Sequence, residues 1–233
     1  MNKLNRLQGA IDWVKTEHIW KKSAVETYDR IAQNSRYDKI IDFETRRDAL
    51  IKLMKGIDVS NKKILDIACG SGAFISAVIS KKPKKVIGVD VSSGMLELAK
   101  SRFRKYSNVD FIKSSFMDVS FAANSFDYIL LANASRYIPD GKEQEFFNNV
   151  KKWLKPKGYF IILSDNVFGT SFYGKLLATV FYRLANKENT NPKTALEWNL
   201  KPELEKYFMI DKTLGVGWAW HGKAKHTAYF CLK

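Results

Sequence analysis

The spacing of apolar residues changes near residue 56 and divides the chain into two patterns. Residues 4–33 carry apolar side chains at helical spacing, and no glycine or proline interrupts the stretch from Ala10 to Arg30. A second helical stretch, residues 42–55, ends at Gly56, a residue type that commonly follows the last helical turn. The pattern therefore predicts a helical N-terminal region.

Short apolar runs and helical stretches alternate in the rest of the chain. Strands are predicted at Lys63–Ile67, Lys85–Asp90, Val109–Lys113, Tyr128–Ala132, Tyr159–Ser164, Met209–Leu214 and His226–Leu232. Helices are predicted at Ala73–Ser80, Ser93–Arg104, Lys142–Trp153 and Thr194–Tyr207. The alternation predicts an α/β fold with a Rossmann-like, seven-stranded, mostly parallel sheet, helices on both faces and an antiparallel C-terminal edge strand.

Composition and cysteine usage narrow the class of protein. The 233 residues are 45% hydrophobic and 27% charged, as is usual for a globular domain. No apolar run approaches the ~20 residues of a membrane span, and the first twenty residues lack the apolar core of a signal peptide. The two cysteines, Cys69 and Cys231, have the spacing of neither a disulfide framework nor a metal site. We expect a cytoplasmic protein without a metal.

The net charge of +15 is concentrated in lysine-rich segments, of which "KKPKK", Lys81–Lys85, is the densest. These lysines follow a predicted helix and precede a predicted strand, which places them at the amino-end edge of the sheet. Ligands of such sheets bind at the opposite, carboxyl-end edge. We therefore interpret the charge as a lysine-rich surface, with nucleic-acid binding as the alternative.

A glycine loop, "ILDIACGSGAF", follows the first predicted strand, which carries Asp66 near its end. Glycines here allow backbone to approach a ligand closely. A dinucleotide fingerprint requires a third glycine, where this sequence has Ile75. Asp66 would also repel a pyrophosphate, whereas it would attract a cationic amino-acid group. The second strand ends at Asp90, whose carboxylate can accept both hydroxyls of a ribose. The two acids together favour a nucleoside joined to an aminoacyl chain.

These motifs resemble those of the class I S-adenosylmethionine-dependent methyltransferases over about residues 28 to 165. The matching segments are "ILDIACGSG", "VIGVDVSSGMLELAK" and "VDFIKSSFMDVSFAANSFDYILLANASRYI". The upstream "YDRIAQNSRYD" is similar to the entry helix of the ubiquinone-biosynthesis-like, small-molecule branch. The resemblance implies an enzyme that uses S-adenosyl-L-methionine and releases S-adenosyl-L-homocysteine.

The resemblance also implies roles for individual residues of the cofactor site. The residues implied for the methionine moiety are Asp66, Ala68, Gly70 and Gly72, and Asp90 is implied for the ribose. The adenine would contact Val91, Met95, Ser115 and Phe116. Asn133 would lie beside the sulfonium, and Tyr28 and Tyr37 would reach the cofactor from the N-terminal region. Ser115 stands where the family usually has an acid, so adenine recognition departs from the pattern, and Asp118 is an alternative reader. Simpler interpretations remain: Asp66 as a helix cap, Met95 as helix core, and both tyrosines as packing residues.

The methyl acceptor and any general base are less defined. Candidate bases after the fourth and fifth strands and near the last strand are Tyr137, Arg136, Asp165 and His221, of which Tyr137 and His221 are the catalytic residues we predict. His221 has an alternative interpretation as an ordinary loop histidine. The fourth strand is followed by "NASRY" and not by an Asn-Pro-Pro-Tyr motif, which disfavours methylation of an amide or nucleobase nitrogen.

We expect a single domain spanning residues 1–233. Its parts are an N-terminal helical lid (1–56), a cofactor-binding core (57–165), a substrate-side insertion (166–207) and a C-terminal strand pair (208–233). The apolar residues of the insertion are interpreted as packing residues, with an acceptor wall or a peripheral membrane contact as alternatives. The predicted function is methyl transfer to an oxygen or nitrogen of a small-molecule acceptor, apolar or lipid-linked. The alternatives are a tRNA or rRNA methyltransferase and a non-catalytic cofactor-binding protein.

Overall fold

The computed structural model describes residues 24–33, 43–139, 141–165, 200–216 and 226–233. The helices are α1 (Ala24–Gln33), α2 (Phe43–Leu53), α3 (Ala73–Val78), α4 (Ser93–Phe103), α5 (Glu143–Trp153) and α6 (Leu200–Leu204). The strands are β1 (Lys63–Ile67), β2 (Lys85–Asp90), β3 (Val109–Lys113), β4 (Phe126–Ala132), β5 (Leu154–Asp165), β6 (Met209–Val216) and β7 (His226–Leu232). Short 3₁₀ turns follow α3 at Ile79–Lys81 and β4 at Ser135–Tyr137.

All seven strands form one sheet in the order β3-β2-β1-β4-β5-β7-β6. Strands β1 to β5 pair in parallel, and β7 runs antiparallel to its neighbours β5 and β6. The predicted fold class is thus confirmed, with β7 inside the sheet and β6 at its edge. The strand order reverses between β1 and β4, and this is the point at which sheets of this type bind ligands.

The central strands are apolar on both faces because helices cover both sides of the sheet. Leu65 and Ile67 of β1 pack on one face with α5, and Ile64 packs on the other with α2 and α3. Ile64, Leu65 and Ile67 are fully buried. The apolar run, interrupted only by Asp66, therefore marks a strand at the centre of the sheet.

Helix α5 shows how helical spacing builds the core. Its buried residues, Phe146, Phe147, Val150 and Trp153, recur three or four positions apart along one side of the helix. Phe146 and Phe147 meet Phe160 of β5 at ring-centroid distances of 6.3 Å each. The helix is thereby fixed against β5 at Phe160, which pairs with Ile129 in the middle of β4.

The element bounds differ from the sequence predictions mainly at β5. Its predicted start at Tyr159 is too late, because Leu154 already pairs with Phe126 of β4 and an irregularity in the register separates that pair from the rest of the ladder. The predicted helix Ala73–Ser80 changes to a 3₁₀ turn after Val78. Residues 1–23 and the greater part of the predicted insertion, residues 166–199, lie outside the described residues. The division of the chain at residues 56, 165 and 207 stays a prediction.

The KKPKK segment lies at the amino ends of β1 and β2, as expected from its position in the sequence. The backbone nitrogens of Lys84 and Lys85 both donate to the carbonyl of Lys62, just before β1. The ammonium of Lys81 donates to the carbonyls of Met54 and Ile57 after α2, at 2.6 and 3.0 Å. In the described part of the chain, no helix is long and apolar enough to cross a bilayer.

One residue at this edge has a strained backbone. Lys157, in the irregular part of β5 between Leu154 and Tyr159, has φ 62°, a left-handed conformation that costs a non-glycine residue about 1–2 kcal/mol. We expect Lys157→Gly to raise the free energy of unfolding by about 0.5–1 kcal/mol, because glycine adopts this conformation without the Cβ clash. Urea denaturation measures the change. The matched variant Lys151→Gly, inside α5, should lower the same free energy by about 1 kcal/mol. A loss of stability in both variants would contradict the prediction.

Candidate functional site

The carboxyl ends of β1, β2 and β4 meet at one edge of the sheet. Asp66 of β1 pairs in register with Gly88 of β2 and with Leu130 of β4. Asp90 is the last residue of β2, and Asn133 follows the last residue of β4. The parallel register therefore brings together three polar side chains that are far apart in the sequence.

The glycine loop between β1 and α3 is held in an unusual backbone conformation. Ala68, Gly70 and Gly72 have φ values of 55°, 52° and 87°. Gly72 is required also for space, since a Cβ on it would overlap the ring of Phe103. Gly72 precedes α3 without any side-chain cap, so the interpretation of Asp66 as a cap of this helix is wrong. The loop is instead shaped by backbone contacts, including Gly72 N donating to the carbonyl of Cys69 at 3.0 Å.

Asp66 is a buried carboxyl group, with a relative exposure of 2%. Its Oδ2 is buried and has no hydrogen-bond partner among the residues that the structure describes. Burial, and after it the charge of Asp90, raises the pKa of Asp66 well above its ordinary value. A carboxylate held in this way would be stabilised by a cation or a hydrogen-bond donor at the end of β1.

Asp90 is buried too, but its carboxylate has partners. Oδ2 accepts from Gly70 N at 2.8 Å, and Oδ1 accepts from Ser92 N at 2.9 Å. Burial raises the pKa of Asp90 above its ordinary value, and these backbone hydrogen bonds oppose the shift without reversing it. Each oxygen uses one lone pair in this way and retains another, so the group can still accept hydrogen bonds from two hydroxyls.

Asn133, like Asp66, has a buried side-chain oxygen near the carboxyl end of a strand. It has φ 56°, a left-handed conformation that asparagine tolerates better than most residues. Its backbone nitrogen donates to the carbonyl of Leu163 at 3.2 Å. Its side-chain Oδ1 is buried without a hydrogen-bond partner in the described part of the chain. The edge of the sheet thus carries two buried acceptor oxygens, on Asp66 and Asn133, for which the described residues supply no donor.

The residues expected to surround adenine lie after β2 and β3. Val91 is half-buried, and Met95 is 1% exposed. Burial of Met95 is consistent both with a contact to adenine and with a place in the core of helix α4. The hydroxyl of Ser115 accepts from Met117 N at 3.1 Å. Phe116 packs edge-to-face on Phe146, with ring centroids 5.4 Å apart. Asp118 is exposed and position 115 is a serine, so neither of these two described positions supplies a buried acid.

Helix α1, from the N-terminal part of the chain, contacts the segments that follow β2 and β4 at the carboxyl-end edge of the sheet. The hydroxyls of Tyr28 and Tyr137 lie 3.0 Å apart and are partly buried, and their rings are in edge contact. Asp29 accepts hydrogen bonds at the start of α4, from Ser92 Oγ at 2.6 Å and from Gly94 N at 2.9 Å. Our sequence reasoning missed Asp29. The available signal was an acid beside Tyr28 in a predicted helix, which alone does not indicate a long-range partner.

Other sequence predictions have varied outcomes. The thiol of Cys69 is buried, and burial followed by the charges of Asp66 and Asp90 raises its pKa well above the ordinary value, so it is a packing residue and not an activated nucleophile. Asp127 accepts from Lys63 N and from Lys155 Nζ, both at 2.8 Å, at the amino-end edge, which is a structural role.

Tyr37 and His221 lie outside the described residues. Arg136 belongs to the 3₁₀ turn Ser135–Tyr137, and the backbone of Asp165 pairs with His226.

Comparisons with known proteins agree with this geometry. A family model described as "Methyltransferase domain" matches residues 64–158. A demethylmenaquinone methyltransferase of Staphylococcus carnosus is 30% identical over 193 residues, which cover 76% of this chain and 77% of that protein. Among solved structures, an S-adenosylmethionine-dependent methyltransferase of Mesorhizobium loti aligns with a TM-score of 0.60 and 14% identity, over 81% of this chain and 98% of that one.

A second solved structure carries the product of the cofactor. Phosphoethanolamine N-methyltransferase 1 of Haemonchus contortus, in complex with phosphoethanolamine and S-adenosylhomocysteine, aligns with a TM-score of 0.66 and 16% identity, over 88% of this chain and 47% of that one. This chain belongs to the class I S-adenosylmethionine-dependent methyltransferases. It is therefore a methyltransferase, and its methyl donor is S-adenosyl-L-methionine.

The buried carboxyl of Asp66, whose Oδ2 has no donor among the described residues, should cost stability in the ligand-free protein. Because its pKa is raised in the folded state, the unfolded chain releases this proton at a lower pH than the folded protein. Stability contributed by this group is thus lost as the pH rises above about 4. We expect Asp66→Asn to raise the free energy of unfolding at pH 7.5, on the order of 1–3 kcal/mol, and to give little gain at pH 4.

Urea denaturation of the ligand-free protein at both pH values tests this expectation. Asp110→Asn is the matched control, because Asp110 is exposed and pairs with Lys85 at the surface, where an ion pair is worth at most about 1 kcal/mol. A variant at position 66 that is less stable than the wild type at pH 7.5 would show that the carboxylate has a stabilising partner.

Proposed function

We propose that S-adenosylmethionine binds across the carboxyl ends of β1 and β2, with its aminoacyl and sulfonium end toward Asp66 and Asn133. The observation that carries this proposal is the buried Oδ2 of Asp66, which has no donor among the described residues. The ammonium group of the cofactor supplies both a positive charge and hydrogen-bond donors, and these satisfy such an oxygen. Ala68, Gly70 and Gly72 hold the adjacent loop backbone where it can approach the ligand.

The ribose and adenine are assigned to the next two strands. Asp90 would accept the ribose hydroxyls with the lone pairs that Gly70 and Ser92 leave unused. Val91 and Met95 would line one side of the adenine, and Phe116 the other. The hydroxyl oxygen of Ser115 already accepts a hydrogen bond from Met117 N, and its own proton remains available for donation to a ring nitrogen of adenine. Adenine recognition in this chain would then depend on a hydroxyl or on Asp118, in place of the usual buried acid.

The acceptor side is assigned to the loop after β4 and to helix α1. The cofactor supplies an electrophilic methyl group, whose bond to sulfur breaks with the electron pair remaining on sulfur. The chain's own residues must then align the acceptor, exclude water and remove a proton if the acceptor retains one. Tyr137, hydrogen-bonded to Tyr28 at 3.0 Å in the segment after β4, would contact the acceptor hydroxyl, and this contact is part of the proposal. Tyr37 and His221 keep their predicted roles as hypotheses.

For the acceptor we propose a small apolar molecule that carries an acidic hydroxyl, such as a reduced quinone. The relatives from Staphylococcus are named for demethylmenaquinone, which supports this class. The KKPKK segment supports a small molecule over RNA, because it lies at the edge of the sheet opposite to Asp66 and Asp90. Loss of the hydroxyl proton would make both the oxygen and the conjugated ring carbons nucleophilic. NMR of the product would show which of these atoms receives the methyl group.

The role of Asp90 can be tested through affinity for S-adenosylhomocysteine. Asp90→Asn removes the charge from an acceptor of two ribose hydrogen bonds, so we expect the dissociation constant to rise about 10- to 100-fold. Isothermal titration calorimetry measures it. Asp110→Asn, an exposed acid on the neighbouring strand, should leave affinity unchanged. Equal affinity of the wild type and Asp90→Asn would exclude this carboxylate from the cofactor site.

The role of Tyr137 can be tested through turnover. With demethylmenaquinone in its reduced form as the acceptor probe, we expect Tyr137→Phe to lower kcat at least tenfold, since a positioned proton acceptor contributes ~10²–10⁴. The KM for S-adenosylmethionine should stay the same. Tyr106→Phe is the control, because Tyr106 is 43% exposed and lies beyond α4. A Tyr137→Phe variant with wild-type kcat would restrict this residue to packing.

A further inference from the structure

A continuous chain of hydrogen bonds connects the glycine loop to helix α1. Gly70 N donates to one oxygen of Asp90, and Ser92 N donates to the other. The hydroxyl of Ser92 donates to Asp29 at 2.6 Å, while its oxygen accepts from Met95 N at 3.1 Å and caps helix α4. Ser92 itself is fully buried. One serine thus holds the carboxylate assigned to the ribose and the acid that anchors α1.

Helix α1 packs on the start of α4 as closely as its backbone allows. A Cβ on Gly94 would lie 2.8 Å from the Cβ of Ala32 and 3.3 Å from the carbonyl oxygen of Asp29. Ala32 is 5% exposed. Gly94 N is therefore accessible to the Asp29 carboxylate only because position 94 has no side chain. The contact depends on two independent features, a carboxylate on α1 and a glycine on α4.

The contacts of α1 lie on both sides of the glycine loop. Asp29 contacts the segment after β2, and Tyr28 contacts Tyr137 in the segment after β4. Strand β1, with Asp66 and the glycine loop at its carboxyl end, lies between β2 and β4 in the sheet. Helix α1 is thus fixed at both flanks of the edge to which we assign the cofactor.

The charge of Asp29 is stabilised by its surroundings. Burial would raise the pKa of Asp29, but hydrogen bonds from Ser92, Gly94 and Ser93 and the charge of Lys113 outweigh it and lower the pKa below its ordinary value. The group facing Ser92 and Gly94 is therefore a carboxylate at neutral pH, which accepts stronger hydrogen bonds than a neutral group would.

We propose that Asp29 is a positioning residue that couples adenosine binding at Asp90 to the docking of helix α1 over the site. This inference rests on the proposed cofactor site and adds to it a residue with no assigned contact to the cofactor. Docking of α1 orients Ser92, Ser92 orients the Asp90 carboxylate, and the ligand bound to Asp90 in turn holds Ser92 and α1 in place. By linkage, the helix and the ligand stabilise each other's bound states.

The experiment measures the affinity for S-adenosylhomocysteine and amide hydrogen exchange of residues 24–33, with and without this ligand, in the full chain. In the wild type, we expect saturating ligand to slow exchange in α1. In Asp29→Ala, the dissociation constant should rise about tenfold, since a hydrogen-bonded charge is lost, and saturating ligand should no longer slow exchange in α1. Gly94→Ala should produce both changes through a steric clash while the carboxylate is retained.

Controls separate this inference from a general loss of stability. Asp48→Ala removes an exposed acid from the other N-terminal helix, where it pairs with Arg47, and should match the wild type in both measurements. The proposal would be overturned if saturating ligand still slowed amide exchange in α1 of Asp29→Ala. It would also be overturned if Asp29→Ala bound S-adenosylhomocysteine with wild-type affinity. Either result would decide the matter even if Gly94→Ala has an effect. Failure of the wild type to bind S-adenosylhomocysteine would overturn the cofactor site, and this inference with it.

Discussion

The parallel register of β1 and β2 brings two carboxyl groups, Asp66 and Asp90, together at the buried end of the sheet. Like charges removed from water repel each other strongly and lose hydration, so this arrangement costs free energy in the ligand-free protein. The apolar strands around it compensate for this cost. Other features of this edge, namely the loop conformation, the serine after β2 and the position of α1, depend on how these two groups are held.

The two carboxyl groups differ in their hydrogen bonding, and this difference suits two parts of one ligand. Asp90 is held by two backbone nitrogens and is therefore oriented before any ligand arrives. Asp66 retains an oxygen without a donor in the described structure. An oriented acceptor recognises the geometry of a ribose, whereas an unsatisfied one contributes binding free energy to a cation. A preorganised site of this kind avoids part of the cost of ordering its groups on binding.

The lysines of the KKPKK segment and the buried acids lie at opposite edges of the sheet. Lys81 donates to two carbonyls that follow α2, at the amino-end edge. Asp66 and Asp90 lie at the carboxyl-end edge, where basic groups are also present. Arg102 donates to the carbonyl of Ser71 in the glycine loop, and the charge of Lys113 lowers the pKa of Asp29. The densest basic segment therefore does not face the candidate site, whose electrostatics combine buried carboxyl groups with nearby cations.

Much of the fold could be predicted from the sequence because its causes are local. The run Ile64–Ile67 predicts a strand, and the glycines after it predict a loop whose backbone can approach a ligand closely. The start of β5 could not be placed, since the pairing of Leu154 with Phe126 is a contact across strands. The position of β7 between β5 and β6 likewise follows from the sheet as a whole.

The candidate site shows the same division between local and long-range causes. By itself, the sequence placed Asp66 and Asp90 at the ends of predicted strands, and the resemblance to the methyltransferases added Asn133 as a candidate. Tertiary structure alone decided which groups have partners: Asp90 and Ser115 have backbone donors, while Asp66 Oδ2 has none in the described structure. It also decided that Asp29 of α1 reaches Ser92 and Gly94. The physical reason is that hydrogen bonds and burial depend on distances between segments, which residue order along one segment does not encode.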